Sequence, residues 1–291
     1  MKAKIITILL LFATMLSCKD QNLKTTQKSG PVDFKLIGLN HNKGLDYILN
    51  YILANRGSDK ISLSQVLKLN KAASEEYFNK TYSNLSQTDR EKIMGTMESL
   101  NQINTRQIFG RTNTATGPAS DMLSQVAPYM TYNQKYYINN IYSTLETYDN
   151  NINAVQYALD DIESQVYSTM GYDEAAVVLS AISVARNSTY YWDSNLDHWF
   201  DVMSQTTDPY SALIQPRING RIAWGWVVGM DVTAAVTVGI LYSPAFVVPF
   251  VGWAFWGGSV VAGALITSGA TAIISYKSMG TSTGSIPRIP L

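Results

Sequence analysis

An apolar stretch near the C-terminus, residues 222–276, constrains this chain more than any other feature, because Asp231 is its only residue with a formal charge. Two arms, 222–242 and 250–276, flank a segment, 243–249, that contains two prolines. Proline has no amide hydrogen and does not continue a helix, so this segment predicts a turn. We therefore predict that the stretch folds as a hydrophobic helical hairpin.

Small side chains recur at every fourth position of each arm. Positions four apart share one face of a helix, and a stripe of small residues lets two helix backbones approach closely, as small-xxx-small patterns do in lipid. We predict that these two stripes are the packing surfaces of the hairpin. The first stripe is Gly225, Gly229, Thr233 and Thr237, and the second is Ser259, Gly263, Thr267 and Thr271.

Three environments suit such a hairpin: a permanent membrane anchor, the buried centre of a helical domain, or a sheltered hairpin that inserts into a target membrane. As a helix the second arm is about 40 Å long, which exceeds the ~30 Å hydrocarbon core. In the first arm, Asp231 raises the free energy of insertion by roughly 2.5–3.5 kcal/mol. A lipid anchor at the other end of the chain makes a second anchor redundant, so anchoring alone is the weakest explanation.

The N-terminus carries the signs of export. Lys2 and Lys4 precede an apolar segment too short to span a bilayer permanently, and Met15-Leu16-Ser17-Cys18 follows. This resembles a bacterial lipoprotein signal with its lipobox. The resemblance implies that residues 1–17 are removed and that Cys18 is acylated, for example with palmitate, as the lipid attachment site; the alternative is an ordinary secretory signal. Cys18 is the only cysteine, which excludes an intrachain disulfide.

Helical periodicity runs through most of residues 34–208. We predict an all-α fold, an irregular helical bundle of about seven helices plus the C-terminal hydrophobic helical hairpin, with 18–33 as a flexible tether, 110–120 as a loop, 209–221 as a linker and 277–291 as a polar tail. Apolar residues at helical spacing and capping residues place the helices. They are a helix over 45–53 ended by Gly57, one opened by Ser62 and Gln65, one opened by Ser86 and Asp89, and helices over 131–147, 151–168, 175–192 and 196–203.

Charge and residue types argue for a non-catalytic protein. Lys+Arg and Asp+Glu number 22 each, so no global field favours a nucleic-acid partner. No catalytic motif or cofactor-binding motif occurs, and His41 and His198 lack the spacing of metal ligands. We expect His41 to precede the first helix and bond to backbone, and His198 to be partly buried beside Trp199.

Two further groups of residues are interpreted as structural. Asp160, Asp161 and Glu163 point in different directions on one helix, which predicts a solvated face rather than a catalytic carboxylate pair. Tyrosines at helical spacing predict core or rim packing rather than a sugar-binding platform. These tyrosines are Tyr136, Tyr137, Tyr142, Tyr148, Tyr157, Tyr167, Tyr190 and Tyr191.

Two patches, 39–48 and 180–192, together with the glycine- and alanine-rich end of the chain, resemble uncharacterised exported lipoproteins of the Bacteroidota that finish in a bacteriocin-like tail. The resemblance implies a location in the cell envelope, where a lipid anchor fits the outer membrane best. It transfers no activity to this chain. Amphipathic helices around an apolar hairpin also look like the pore-forming domains of colicins. In that family a further helix follows the hairpin, whereas here 277–291 contains glycines and prolines.

Three hypotheses for function follow. The first is a lipid-anchored envelope protein with a membrane-associating, toxin-like or pore-forming hairpin, whose partner is membrane lipid through Cys18 and the hairpin. The second is a non-catalytic surface or periplasmic lipoprotein with the hairpin buried in its core and a binding or structural role. The third is a helical enzyme of unknown substrate.

Overall fold

The regular structure is helical throughout the residues that the computed structural model describes, which are 33–57, 61–109, 118–148, 151–204, 224–242, 257–264, 267 and 289. The all-α prediction is confirmed, and within these ranges no strand occurs. The helices are α1 (Lys35–Asn55), α2 (Leu63–Thr81), α3 (Gln87–Phe109), α4 (Pro118–Val126), a 3-10 turn (Ala127–Tyr129), α5 (Tyr132–Thr147), α6 (Ile152–Thr169), α7 (Tyr172–Ser204) and α8 (Trp224–Leu241). Residues 257–264 of the predicted second arm are also helical.

Local sequence sets several helix ends. Ser62 and Gln65 form the predicted capping box at the start of α2, with the Gln65 amide donating to Ser62 Oγ over 3.2 Å. Thr131 begins α5 with a second capping box. After α1, Gly57 adopts a φ of 73°, a left-handed conformation that favours glycine at a helix end. These ends are local features, and they agree with the sequence pattern.

The start of α1 differs from the prediction. The helix begins at Lys35, so His41 lies inside it rather than before it. Gly38 lies against α7, where a Cβ would overlap the Ser183 carbonyl, and the Gly38 amide donates to Ser183 Oγ over 3.1 Å. Contact with α7 therefore stabilises helix through a glycine- and asparagine-rich segment with low intrinsic helix propensity.

Two other boundaries also differ. The predicted helices 175–192 and 196–203 are parts of the single 33-residue helix α7. Trp192 and Trp199 lie on either side of the expected break, both fully buried, with ring centroids 5.6 Å apart. Helix α4 begins at Pro118, inside the predicted loop 110–120, since proline suits the first turn of a helix.

Helix α7 is the centre of the bundle. It packs against α1, α5, α6 and α8, and α8 in turn packs against α4 and α5. One apolar core runs through these elements, from Ile48 of α1 to Val236 of α8. A second core joins α2, α3 and α4 to α8 and residues 257–264 through Phe78, Met97 and Ala262. The first arm of the predicted hairpin thus shares its core with the amphipathic helices.

Most of the tyrosines assigned to packing have exposed rings. Tyr137, Tyr142 and Tyr191 are buried, as expected for core positions. The other five expose 40–77% of their surface and do not fill the core. The exposed members of that group are Tyr136, Tyr148, Tyr157, Tyr167 and Tyr190.

Candidate functional site

Helix α8 is enclosed on every side. Each residue from Val227 to Ile240 is buried, including Asp231 and Thr233. A helix without a polar face must be covered all round, either by protein or by lipid. In the structure, α4, α5 and α7 supply this cover. Among the described helices, none is both long enough and apolar enough to cross a membrane.

Asp231, the one charged residue of the apolar stretch, is fully buried against α7. The Trp192 indole, also fully buried, donates a hydrogen bond to Asp231 Oδ2 over 2.7 Å. An indole nitrogen is only a donor and a buried carboxylate requires donors, so this bond satisfies the indole N–H and supplies one donor to the carboxylate, at Oδ2. This bond fixes the rotation of α8 relative to α7.

His41 lies beside this pair. Its Nε2 is 3.9 Å from Asp231 Oδ2, which exceeds hydrogen-bond distance. Burial lowers the pKa of His41 from 6.5 to about 4, while the hydrogen bond with Asn42 acts in the opposite direction. The imidazole is therefore neutral at pH 7, and its contact with Asp231 is not an ion pair at that pH.

The other ring nitrogen shows which tautomer is present. The Asn42 amide nitrogen donates to the Asn187 carbonyl over 2.9 Å, which turns Asn42 Oδ1 towards His41 Nδ1, 3.2 Å away. Since an amide oxygen only accepts, this contact favours the tautomer with the proton on Nδ1. We expected the ring to bond to backbone, and the two hydrogen bonds that the structure describes at Nδ1 are instead with the side chains of Asn42 and Ser188.

Ser188, His41 and Asp231 are the residue types of a hydrolase triad, but the geometry does not suit that chemistry. Ser188 Oγ is 3.3 Å from His41 Nδ1, and all three side chains are fully buried. A substrate carbonyl must reach the serine oxygen, which complete burial prevents. We interpret the group as a polar cluster that positions α8.

A second polar contact holds α8 to α5. Tyr142 is fully buried, and its hydroxyl shares a hydrogen bond of 2.9 Å with Thr233 Oγ1, which also donates to the Gly229 carbonyl over 2.8 Å. Burial raises the pKa of Tyr142, so the phenol stays protonated in the physiological range. Two neighbouring helices thus each make a side-chain bond to α8.

The second arm meets α8 through residues 257–264. A Cβ at Gly263 would overlap the Val238 side chain, and Leu100 of α3 is the next neighbour at 3.4 Å. A Cβ at Gly258 would lie 3.1 Å from the ring of Tyr82. Gly263 of the second stripe therefore abuts a valine of α8 rather than a small residue of the first stripe.

The remaining stripe residues differ in their surroundings. Gly225, Gly229, Thr233, Thr237, Ser259 and Thr267 are buried, whereas Thr271 lies outside the described residues, as does Cys18. The hydroxyls of Thr237 and Thr267 have no hydrogen-bond partner among the described residues. Of the first stripe, Thr233 makes the polar contact to Tyr142.

The acidic residues on α6 face solvent and a single arginine. Arg186 of α7 contacts Asp160 over 2.6 Å and Glu163 over 2.8 Å, and the Asp160 side chain is 64% exposed. Asp161 accepts a hydrogen bond from Gln165. These acids form a surface ion-pair group, not a carboxylate pair across a cleft.

His198 is exposed, so its expected partial burial is wrong.

Metal ligands do not converge in the part of the chain that the structure describes, where no three His, Cys, Asp or Glu side chains form a group able to hold an ion. Trp192, Ser188 and Tyr142 were not predicted as partners of α8. A lone aspartate in an apolar run is a signal that a buried donor exists elsewhere, but it does not identify that donor.

No family model, curated protein or solved structure matches this chain.

Proposed function

We propose that this protein is a lipid-anchored protein of the cell envelope that holds a hydrophobic helical hairpin inside its helical bundle and inserts that hairpin into a membrane when it is released. The observation that carries the proposal is the enclosure of α8, an apolar helix without a polar face that is held at Asp231 and Thr233 by side chains of α7 and α5. The lipid at Cys18 places the protein at the outer membrane.

The buried carboxylate of Asp231 favours a hairpin that can leave the bundle over a hairpin that is a permanent part of the core. A carboxylate in an apolar core is expensive, and apolar residues of similar volume often stabilise a protein equally well or better. An apolar residue at position 231 would therefore stabilise the fold about as well as Asp231 does. What Asp231 adds is that the burial of α8 depends on a specific donor, Trp192. Breaking that bond therefore weakens the attachment of α8 to the bundle.

Vesicle leakage tests the proposal. The mature chain, 18–291, with Cys18→Ser removes the lipid route, and vesicles of phosphatidylethanolamine and phosphatidylglycerol carry a self-quenching dye. We expect dye release that is faster at pH 4.5 than at pH 7.5. Asp231→Asn keeps an acceptor for Trp192 and removes the charge that opposes insertion, so release should rise about tenfold or more.

A matched control separates insertion from general loss of charge. Asp193→Asn, at an exposed position of α7, removes the same charge outside α8 and should leave release at the wild-type rate. If neither the parent chain nor Asp231→Asn binds the vesicles or releases dye at either pH, the membrane-active function is excluded.

A second candidate, a binding role with the hairpin as a permanent core, has one observation in its favour. In the part of the chain that the structure describes, eight of the ten exposed large hydrophobic residues are tyrosines. Tyrosine offers a large apolar ring with a polar end, and it is enriched at protein interfaces. The same vesicle experiment separates the two functions, because a permanent core gives no release at any pH.

A further inference from the structure

Most of the exposed tyrosines lie at one end of the bundle, where α1, α5 and α7 begin and α6 ends. Within the described residues, five of the eight exposed tyrosines belong to these helix ends or to the 3-10 turn before α5, and each exposes 41–70% of its surface. We call this surface the tyrosine end. Its members are Tyr129, Tyr132, Tyr136, Tyr167 and Tyr172.

Three contacts bring these helix ends together. In the first turn of α5, the Gln134 side-chain amide donates to the backbone carbonyl of Glu174 in the first turn of α7 over 3.0 Å. The Tyr137 hydroxyl, one turn further along α5, shares a hydrogen bond of 2.8 Å with the side chain of the last residue of α6. The rings of Phe34, at the start of α1, and Tyr172 have centroids 6.0 Å apart. The tyrosines of four elements therefore meet at one end of the fold.

The start of α1 adds aliphatic surface to the tyrosine end. Leu36 and Leu39, in the first two turns of the helix, expose 52% and 45% of their surface. Apolar side chains of this kind enter the boundary between headgroups and acyl chains when a helix lies on a membrane. A tyrosine ring suits the same layer, because the ring is apolar and its hydroxyl stays in contact with water.

The charged residues at this end are of both signs. Asp33, Asp173 and Glu174 are acidic, whereas Lys35 and Lys135 are basic. Anionic lipids and nucleic acids attract an excess of lysine and arginine, which these helix ends lack. The composition of the tyrosine end therefore fits a zwitterionic headgroup layer.

The length of the chain before α1 favours lipid over a protein as the occupant. Asp33 lies two positions before α1, and Cys18 precedes Asp33 by 15 positions. A segment of that length spans about 50 Å at most, and a short linker gives the groups at its two ends a local concentration in roughly the millimolar range. For a chain acylated at Cys18, even a weak contact between this end and the membrane is then occupied.

We propose that the tyrosine end, together with Leu36 and Leu39, binds the headgroup layer of the membrane that holds the lipid on Cys18, and so keeps the bundle against that membrane. The class of ligand is a zwitterionic phospholipid surface. This inference rests on the proposed function for the lipid at Cys18, and it does not depend on insertion of the hairpin.

Flotation of the mature chain, 18–291, with phosphatidylcholine vesicles at pH 7.5 tests the surface. Cys18→Ser removes the lipid, so that only the protein surface binds. In one variant the three most exposed tyrosines of this end, Tyr129, Tyr132 and Tyr167, are replaced together by serine. We expect the partition coefficient to fall about tenfold or more relative to the parent chain, because three rings no longer leave water for the headgroup layer.

A second triple variant is the matched control. It replaces Tyr148, Tyr157 and Tyr190 by serine, whose rings are also exposed, at 40–77%, but lie outside the tyrosine end. Its partition coefficient should equal that of the parent chain. A damaged fold would expose apolar core and raise vesicle binding, so a fall does not come from unfolding. Equal falls in both triple variants, or a parent chain that does not float with the vesicles, would overturn the proposal.

Two measurements identify the occupant. Binding should persist in about 0.5 M salt and without phosphatidylglycerol, because charge does not drive it. Binding that requires low salt or phosphatidylglycerol overturns the zwitterionic surface. Analytical ultracentrifugation tests for a second copy of the chain: self-association that only the tyrosine-end variant loses, with vesicle binding unchanged, makes this end a protein interface and also overturns the proposal.

Dye release, measured as for the membrane-active function, separates the two proposals. Weaker flotation of the tyrosine-end variant, with no dye release by any of the proteins, supports the lipid-binding surface and excludes the membrane-active function. Dye release by the parent chain, with flotation unchanged in the tyrosine-end variant, supports the membrane-active function and overturns the lipid-binding surface.

Discussion

Helices α1 and α8 both pack along α7, but α7 holds them in different ways. At the crossing with α1 the two backbones are in contact, because Gly38 has no side chain and its amide donates to Ser183 Oγ. The opposite face of α1 is open to solvent at Leu36 and Leu39. At the crossing with α8, contact is made by side chains, and the bond from Trp192 to Asp231 is the specific one.

This difference shows which helix can be released. The fit between α1 and α7 depends on the shape of two backbones, which tolerates no added atom at Gly38. The fit of α8 depends on an apolar surface and on individual polar bonds. The apolar surface does not specify one rotation of α8 about its axis, and the polar bonds break when the charge of a partner changes. We therefore expect the burial of α8 to respond to single side chains and the packing of α1 to respond to volume.

The largest effect is expected at the α1 crossing. In Gly38→Ala the new methyl group overlaps the Ser183 carbonyl and the Asn187 side chain, and the helix backbones must move apart. We expect a loss of more than about 3 kcal/mol in the free energy of unfolding, measured by urea denaturation.

Gly95→Ala in α3 is the matched control for this change. A Cβ at Gly95 meets nothing within 4 Å, so the substitution should stabilise the helix by up to about 1 kcal/mol. Similar urea midpoints for the two variants would show that the α1 crossing adapts and that the contrast with α8 is wrong.

The second effect concerns the bond between Trp192 and Asp231. Trp192→Phe removes an indole donor from a buried carboxylate, and we expect a loss of about 3 kcal/mol. Asp231→Ala removes the charge as well as the bond. A double-mutant cycle should therefore show a coupling energy of about 1–3 kcal/mol between the two positions, measured by urea denaturation.

Trp199→Phe provides the control for that cycle. Trp199 is also fully buried, but its indole donates to the Tyr191 hydroxyl over 3.1 Å and not to Asp231. Combined with Asp231→Ala it should be additive within about 0.5 kcal/mol. Equal coupling for both tryptophans would mean that the cycle reports apolar packing rather than the carboxylate bond.

The fold class and many helix ends follow from local sequence. Periodicity and the capping box at Ser62 predict α2, and Gly57 predicts the end of α1, because these signals act within one or two turns. The start of α1 and the continuity of α7 do not follow, since tertiary contacts at Gly38 and between Trp192 and Trp199 override weak local propensity.

The candidate site is less predictable for the same reason. Asp231 is visible in the sequence as the lone charge in an apolar run, and the small residues of α8 are visible by their spacing. Their partners are distant: Trp192 is 39 positions from Asp231, and Tyr142 is 91 positions from Thr233. Without contacts, Trp192 and Tyr142 have the same appearance as any aromatic residue in a helix.

The smallest of the three effects is the acid response of His41. Its pKa is about 4 in the folded chain and 6.5 in the unfolded chain, so below pH 6.5 the unfolded state binds a proton that the folded state does not. The stabilising contribution is complete above pH 6.5 and is lost as the pH falls towards 4. Between pH 7.5 and pH 5 this amounts to about 2 kcal/mol.

His41→Gln isolates that contribution, since glutamine is polar and does not titrate. Glu76 and Glu98, whose pKa values are lowered by Lys80 and Lys71, also lose stability in acid, but they do so equally in both proteins and cancel in the comparison. The free energy of unfolding, measured by urea denaturation at each pH, should fall by about 2 kcal/mol less for His41→Gln than for the parent chain. Because His41 belongs to α1 and faces Asp231 of α8, a flat difference between the two curves would mean that acid does not act where the two helices meet, and release of α8 would then depend on the bonds from Trp192 and Tyr142 alone.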